Sequence, residues 1–185
     1  MTATLTAADI DGDIDGDVDG DIERLREVAG AVCDPEIPVL TLADLGIIRD
    51  VRRGEGDSAG AVLVELTPTY TGCPATEVIA ADVAAALRAA GAADVRVRTV
   101  LSPAWTTDWI SDEGRRKLRE YGIAPPGSCR PAGAGLTRVA LTLSVRCPRC
   151  GSGRTREVSR FGSTPCQSHW TCLACLEPFD TFKAI

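Results

Sequence analysis

Apolar residues return at helical spacing at Ile22, Leu25, Val28 and Val32, behind Asp21 as a starting cap, and predict a first helix. The DPEIP segment at residues 34–38 breaks that pattern, because Pro35 and Pro38 disfavour helix at the residues before them. Residues 46–53 and 61–67 read as two strands joined by the turn-rich RGEGDSAG. Pro74 opens an Ala-rich helix running to about Ala90, and Gly91 stops it. Residues 94–101 (DVRVRTVL) alternate and give a third strand. Trp105 and Trp109 precede a short charged helix that Gly122 would end. The order α-β-β-α-β predicts a small two-layer α+β domain, followed by a C-terminal all-β ribbon.

Composition changes the picture at both ends. Residues 9–21 read DIDGDIDGDVDGD, so residues 1–20 are expected to be a disordered acidic tail. A calcium loop starting at Asp11 would place acids at alternate positions and Gly16 at the sixth. Its twelfth position is Ile22 instead of the bidentate Glu, which argues against such a site. Residues 125–135 (PPGSCRPAGAG) form a Pro/Gly linker between a domain at 21–124 and a module at 136–185. No apolar run is long enough to span a bilayer, and the N-terminus has neither a basic nor an apolar segment, so a cytoplasmic location is expected. Eight cysteines in a reducing compartment point to metal binding or reactive thiols. Residues 136–185 carry three acids and seven bases, a weak nucleic-acid footprint without a base-stacking aromatic stripe.

The clearest chemistry is CPRC at Cys147 and Cys150 with CLAC at Cys172 and Cys175. Each CxxC knuckle aims two sulfurs at one point, and two knuckles complete a tetrahedron for structural zinc. A module of this size buries too little apolar surface to fold unaided, and the metal supplies the difference. Disulfide pairing and a rubredoxin-like iron remain the alternatives. Cys166 and His169, in FGSTPCQSH, are open to two readings: an additional ligand pair, or a packed thiol and an exposed imidazole.

A second candidate lies in TPTYTGCPATE, residues 67–77. Pro74 at the first helical position makes Cys73 the cap, where free N–H groups favour a thiolate and lower its pKa. Gly72 would leave room for close approach. Cys73 is thus the candidate reactive or metal-transfer thiol, against the alternative of a small apolar cap. Asp34 and Glu36 join it if the fold brings the DPE turn near; otherwise they only shape the turn. Cys33 and Cys129 have no partner spacing.

DPEIPVLTLADLGIIRDV (34–51) with TPTYTGCP (67–74) resembles the small domain of the metal–sulfur-cluster biosynthetic family, which takes part in iron–sulfur cluster assembly. LSPAWTTDWISDEGRRKLREYGIAPP (101–126), with CPRCGS (147–152), FGSTPC (161–166) and CLEPFD (175–180), is similar to the phenylacetate-degradation protein D family, also known as the J component of phenylacetyl-CoA oxygenase. The likeness covers about residues 22–185. It implies an accessory role beside the multicomponent oxygenase that epoxidises the ring of phenylacetyl-CoA, which has a diiron component and an iron–sulfur reductase. The other oxygenase subunits, the iron–sulfur assembly machinery and a second copy of the chain are the partners it implies. A transient iron or iron–sulfur cargo at Asp34, Glu36 and Cys73 is implied, with the ribbon cysteines as its zinc-ribbon tail. The alternative is a stoichiometric structural subunit that docks through the ribbon, with Trp105 and Trp109 as anchors. The chain has one His and no Glu-x-x-His pair, so it is not the diiron component itself.

Overall fold

Asp21 does not start the first helix. In the computed structural model, which describes residues 18–127 and 145–184, α1 spans Val18–Gly30 and runs straight through Asp21. The Asp21 carboxylate instead pairs with Arg24, at 2.9 Å, and with Arg53. The Asp11 calcium loop (but for its last residues), Cys129, and most of the linker lie outside the described residues.

The sheet follows the alternation closely. β1 (Ile48–Arg53) pairs antiparallel with β2 (Ala61–Leu66), which pairs parallel with β3 (Asp94–Thr99). Val51, Val62, Val64 and Val95 are buried on one face, while Arg52, Glu65 and Arg98 meet as ion pairs on the other. Helix α3 (Thr76–Ala89) makes the crossover that a parallel pair needs, and buries Ile79, Val83 and Leu87 at four-residue intervals. It lies against β3 and α1.

A short helix, α2 (Leu42–Leu45), follows the DPE turn and leaves no mark in the periodicity, since one turn is too short to show a period. Its ends are chemically specified. Thr41 Oγ1 accepts from the Asp44 amide, the Asp44 carboxylate accepts from the Thr41 amide, and Gly46 closes the helix at φ 66°. A Cβ at Gly46 would also come within 2.8 Å of the Trp109 carbonyl oxygen. Helix α4 (Asp112–Tyr121) is capped by Ser111, and left-handed Gly122 ends it as expected.

Asp44 ties α2 to α4. Its buried carboxylate accepts from Lys117 Nζ at 2.6 Å and from Ser111 Oγ at 3.2 Å. Burial opposes the charge, but the Lys117 and Thr41 donors outweigh it and hold the carboxyl below its ordinary pKa. A lowered folded-state pKa contributes stability that is complete above the unfolded carboxylate pKa and drains away as pH falls through the folded value. Asp44→Asn should therefore cost about 3 kcal/mol at pH 7, as losing one partner of a buried pair does. In urea titrations the gap to wild type should shrink below about pH 4. A gap that ignores pH would show that the charge contributes nothing.

The ribbon is a four-stranded sheet in the order β4-β7-β6-β5. β5 (Thr155–Ser159), β6 (Gln167–Cys172) and β7 (Pro178–Phe182) form an antiparallel meander. β4 (Ile123–Ala124), directly after α4, adds to it in parallel, pairing Ile123 with Asp180 and Ala124 with Thr181. Residues 123–124, which the sequence suggests as the end of the first domain, are thus an edge of the ribbon sheet.

The two units also share apolar packing. Phe182 is 1% exposed and packs within the main core, its ring 5.8 Å from that of Trp105. Trp105 is itself buried and donates from Nε1 to the Leu45 carbonyl at 2.8 Å. It therefore anchors an interface inside this chain rather than one with a partner. Trp109 is half-buried and stacks under the Arg49 guanidinium, 3.9 Å from the ring centroid.

Candidate functional site

Two thiol groupings occur, and they differ in kind. In the ribbon, the sulfurs of Cys147, Cys150, Cys172 and Cys175 all lie within 4.8 Å of one another. Cys147 Sγ sits 3.8 Å from Cys175 Sγ, and Cys150 Sγ 3.6 Å from Cys172 Sγ. A tetrahedron of sulfurs about 2.3 Å from zinc has edges of roughly 3.8 Å, so the donor set fits that ion. The amides of Cys175 and Ala174 point at Cys172 Sγ and pull its pKa down to about 6. Cys172 is thus favoured as thiolate before any metal arrives, while Cys175 of the same knuckle is pushed up to about 12. All four donors are protein sulfurs, so the shell is closed and structural.

The second grouping forms where the ribbon meets the α+β unit. Asp34, Glu36, Cys73, Thr76, Cys166 and Phe182 line one partly open cavity of about 20 Å³, room for a single water. Local chemistry places each group. Asp34 Oδ1 accepts from the Glu36 and Ile37 amides at 2.9 and 2.7 Å, which fixes the DPE turn. The Cys73 carbonyl accepts from the Thr76 amide and hydroxyl, and so seats the thiol just ahead of α3.

Two expectations about Cys73 fail. The helix begins at Thr76, with Ala75 as its cap, so Cys73 sits in the preceding turn. Its pKa is raised, not lowered. Burial is the main cause; the Ala75 amide and the Thr76 hydroxyl pull the other way, but the Glu36 and Asp34 charges add to the rise. Gly72 has a different use from the one expected. A Cβ there would meet nothing within 4 Å, but its φ of 85° is left-handed and favours glycine.

Glu36 is also pushed up, by burial and then by Asp34. It lines a neighbouring open groove with Arg149, His169 and Asp180. His169 Nδ1 lies 3.1 Å from Asp180 Oδ1, away from the ribbon thiols. Cys166 is packed at 7% exposure, with its pKa raised by burial to about 11. Iodoacetamide at pH 7.5 should therefore modify exposed Cys33 first, Cys73 later and Cys166 last, read by peptide mass spectrometry. Cys73 reacting ahead of Cys33 would show that the helix-start amides dominate after all.

The chain is 48% identical over 155 residues to an Escherichia coli (strain K12) protein named as the D component of a "Putative 1,2-phenylacetyl-CoA epoxidase", covering 82% of this chain and 86% of that one. The chain belongs to the family of phenylacetyl-CoA epoxidase D components. Within this D-component homologue, residues 132–183 match the PaaD zinc beta ribbon domain, and residues 22–99 match a family described as iron-sulfur cluster assembly protein. It is also 36% identical over 88 residues to a Porphyromonas gingivalis protein named "Fe-S protein maturation auxiliary factor", covering 47% of this chain and 80% of the other. A solved DUF59 domain of unknown function from Bacillus anthracis is 25% identical, covering 55% of this chain and 94% of that one, at a TM-score of 0.49. Among the described residues of this D-component homologue, no helix is long and apolar enough to cross a membrane.

Periodicity does not single out Asp44, Lys117 and Phe182, of which Phe182 lines the cavity while the other two join α2 to α4. The capping pattern T-x-x-D at Thr41 and Asp44 is the available signal for the first of them.

Proposed function

We propose that this chain assists assembly or upkeep of an iron centre in the phenylacetyl-CoA ring-epoxidising oxygenase, acting in the cytoplasm with Cys73 as the thiol that receives the metal cargo. The carrying observation is the convergence of Cys73, Asp34 and Glu36 on one cavity. That cavity belongs to a unit whose sequence matches iron–sulfur cluster assembly proteins. The name of the E. coli relative supplies the epoxidase link, and that of the P. gingivalis relative the Fe-S maturation link.

The raised pKa of Cys73 keeps the thiol protonated at neutral pH. Cargo binding then exchanges that proton for a sulfur–metal bond, so competition from the proton leaves the empty site unreactive and favours release of the cargo. The ribbon zinc takes no part in this exchange, because its shell is full. The partners are the oxygenase subunits, with the iron–sulfur assembly machinery as the cargo's source.

A second reading, a stoichiometric structural component that docks through the ribbon, is favoured by Phe161 and Leu176, which are 80% and 78% exposed. One measurement separates the two: iron in the oxygenase produced with and without this chain. Iron-poor, inactive enzyme in its absence supports the assembly role. Iron-replete enzyme that is inactive or falls apart supports the structural role and rejects assembly.

A further inference from the structure

Cys166 is a metal-type donor that the four-thiol site does not use. It belongs to the ribbon, in the loop between β5 and β6, yet it faces the α+β unit and lines the cavity with Cys73, Asp34 and Glu36. Its position is specified from several sides. Thr164 Oγ1 lies 3.0 Å from its sulfur, and its carbonyl accepts from the Lys183 amide at 2.9 Å. At Gly162 a Cβ would come within 3.0 Å of Gln167, so the loop tolerates only a small residue there. The charges of Glu36 and Asp34 act on both thiols, which places all four groups in one shared environment. A thiol buried for packing alone needs only apolar neighbours; this one lines a cavity with two carboxylates and a second thiol.

On the reading that Cys73 receives a metal cargo, we infer that Cys166 is the second thiol ligand of that cargo, so that a thiophilic iron species is held across the junction between the ribbon and the α+β unit. Loading forms two sulfur–iron bonds and releases two thiol protons, with no change in oxidation state. Glu36, which lines both the cavity and the open groove, stands on the route by which those protons leave. Among the described residues, only the ribbon thiols form a group of three or more donors close enough to share one ion. The junction offers two thiols and two carboxylates along one cavity, no three of them as close together as the ribbon sulfurs. The cavity of about 20 Å³ lets a lone iron ion take the place of one water.

The test uses the full chain with its ribbon zinc in place, under anaerobic conditions. Ferrous iron is added alone or with sulfide, and iron, labile sulfide and zinc retained after desalting are measured. Wild type, Cys73→Ala, Cys166→Ala and Cys33→Ala are compared, with zinc content and circular dichroism reporting the fold. Cys73→Ala and Cys166→Ala should each lower iron retention about tenfold or more, a loss at least as large as that from removing a ligand's supporting partner. Cys33→Ala should leave retention unchanged. Retention without sulfide assigns the cargo as an iron ion, and retention only with sulfide assigns an iron–sulfur fragment; both support the shared thiol site. Undiminished retention in Cys166→Ala, with loss in Cys73→Ala, overturns the inference and leaves the role of Cys73 standing. Undiminished retention in both, or no retention by wild type, overturns the two together. Should Cys166→Ala misfold, iron-edge X-ray absorption of the sulfide-free wild type decides: two thiolate sulfurs per iron support the inference and one rejects it.

Discussion

Exchanging Cys172 for Ala will empty the four-thiol site and unfold the ribbon, while the α+β unit stays folded. Cys172 is fully buried, its sulfur lies 3.6 Å from that of Cys150, and two amides are aimed at it. The ribbon's own core consists of Ala124, Cys147, Cys172 and Phe179, with Val145 and Trp170 packed on it. Two of those four buried residues are metal ligands, so almost no apolar reserve remains once the ion is gone. A structural zinc contributes about 10–16 kcal/mol to a module of this kind, more than any other single interaction in the chain can offset. The main core, by contrast, is built from residues of the α+β unit, with Ile123, Cys166 and Phe182 as the additions from the ribbon sheet. Its loss of Phe182 against Trp105 should soften that unit without melting it. Zinc analysis should show the metal lost, and amide spectra should show collapse of β5 to β7 with β1 to β3 retained. Ribbon amides that stay dispersed without metal would refute the idea that the ion supplies the module's stability.

Cys73→Ser will fail to restore oxygenase activity in cells that lack this chain, although the variant protein folds. Serine keeps nearly the same shape in a half-buried turn, and Cys73 holds that turn through its backbone, with its amide donating to Tyr70 and its carbonyl accepting from Thr76. What serine removes is the soft sulfur donor for a thiophilic metal. Activity should fall to the level of cells without the chain, with circular dichroism and ribbon zinc unchanged. Glu36→Gln is the better companion variant than one at Asp34, because Asp34 Oδ1 carries the turn through the Glu36 and Ile37 amides. Full activity with Cys73→Ser would end the proposed thiol role and shift attention to the exposed ribbon residues.

By itself the sequence determined the features whose physics is local. The turn-rich RGEGDSAG located β1 and β2, and alternation located β3, each to within about two residues, because side chains on a strand repeat every second position. Gly122 marked the end of α4, since a left-handed cap needs glycine more than it needs any particular neighbour. Two CxxC knuckles specified the ribbon metal site, because each knuckle fixes its sulfurs over four residues and the tetrahedron follows. Boundaries failed where a helix met a turn, at Asp21 and Cys73, because a cap residue's chemistry suits several nearby positions.

Only the tertiary structure decided the rest. Whether Cys73 has a lowered or a raised pKa depends on burial and on the distant DPE carboxylates, and the helix amides legible in the sequence are the weaker effect. Trp105 looks the same on paper whether it faces a partner or the chain's own Phe182. Cys166 reaches the cavity that Cys73 lines because β4 joins the ribbon sheet and β7 carries Phe182 into the main core. A periodic pattern states which face of an element is buried, but not which other element covers it. The junction cavity is a property of that choice.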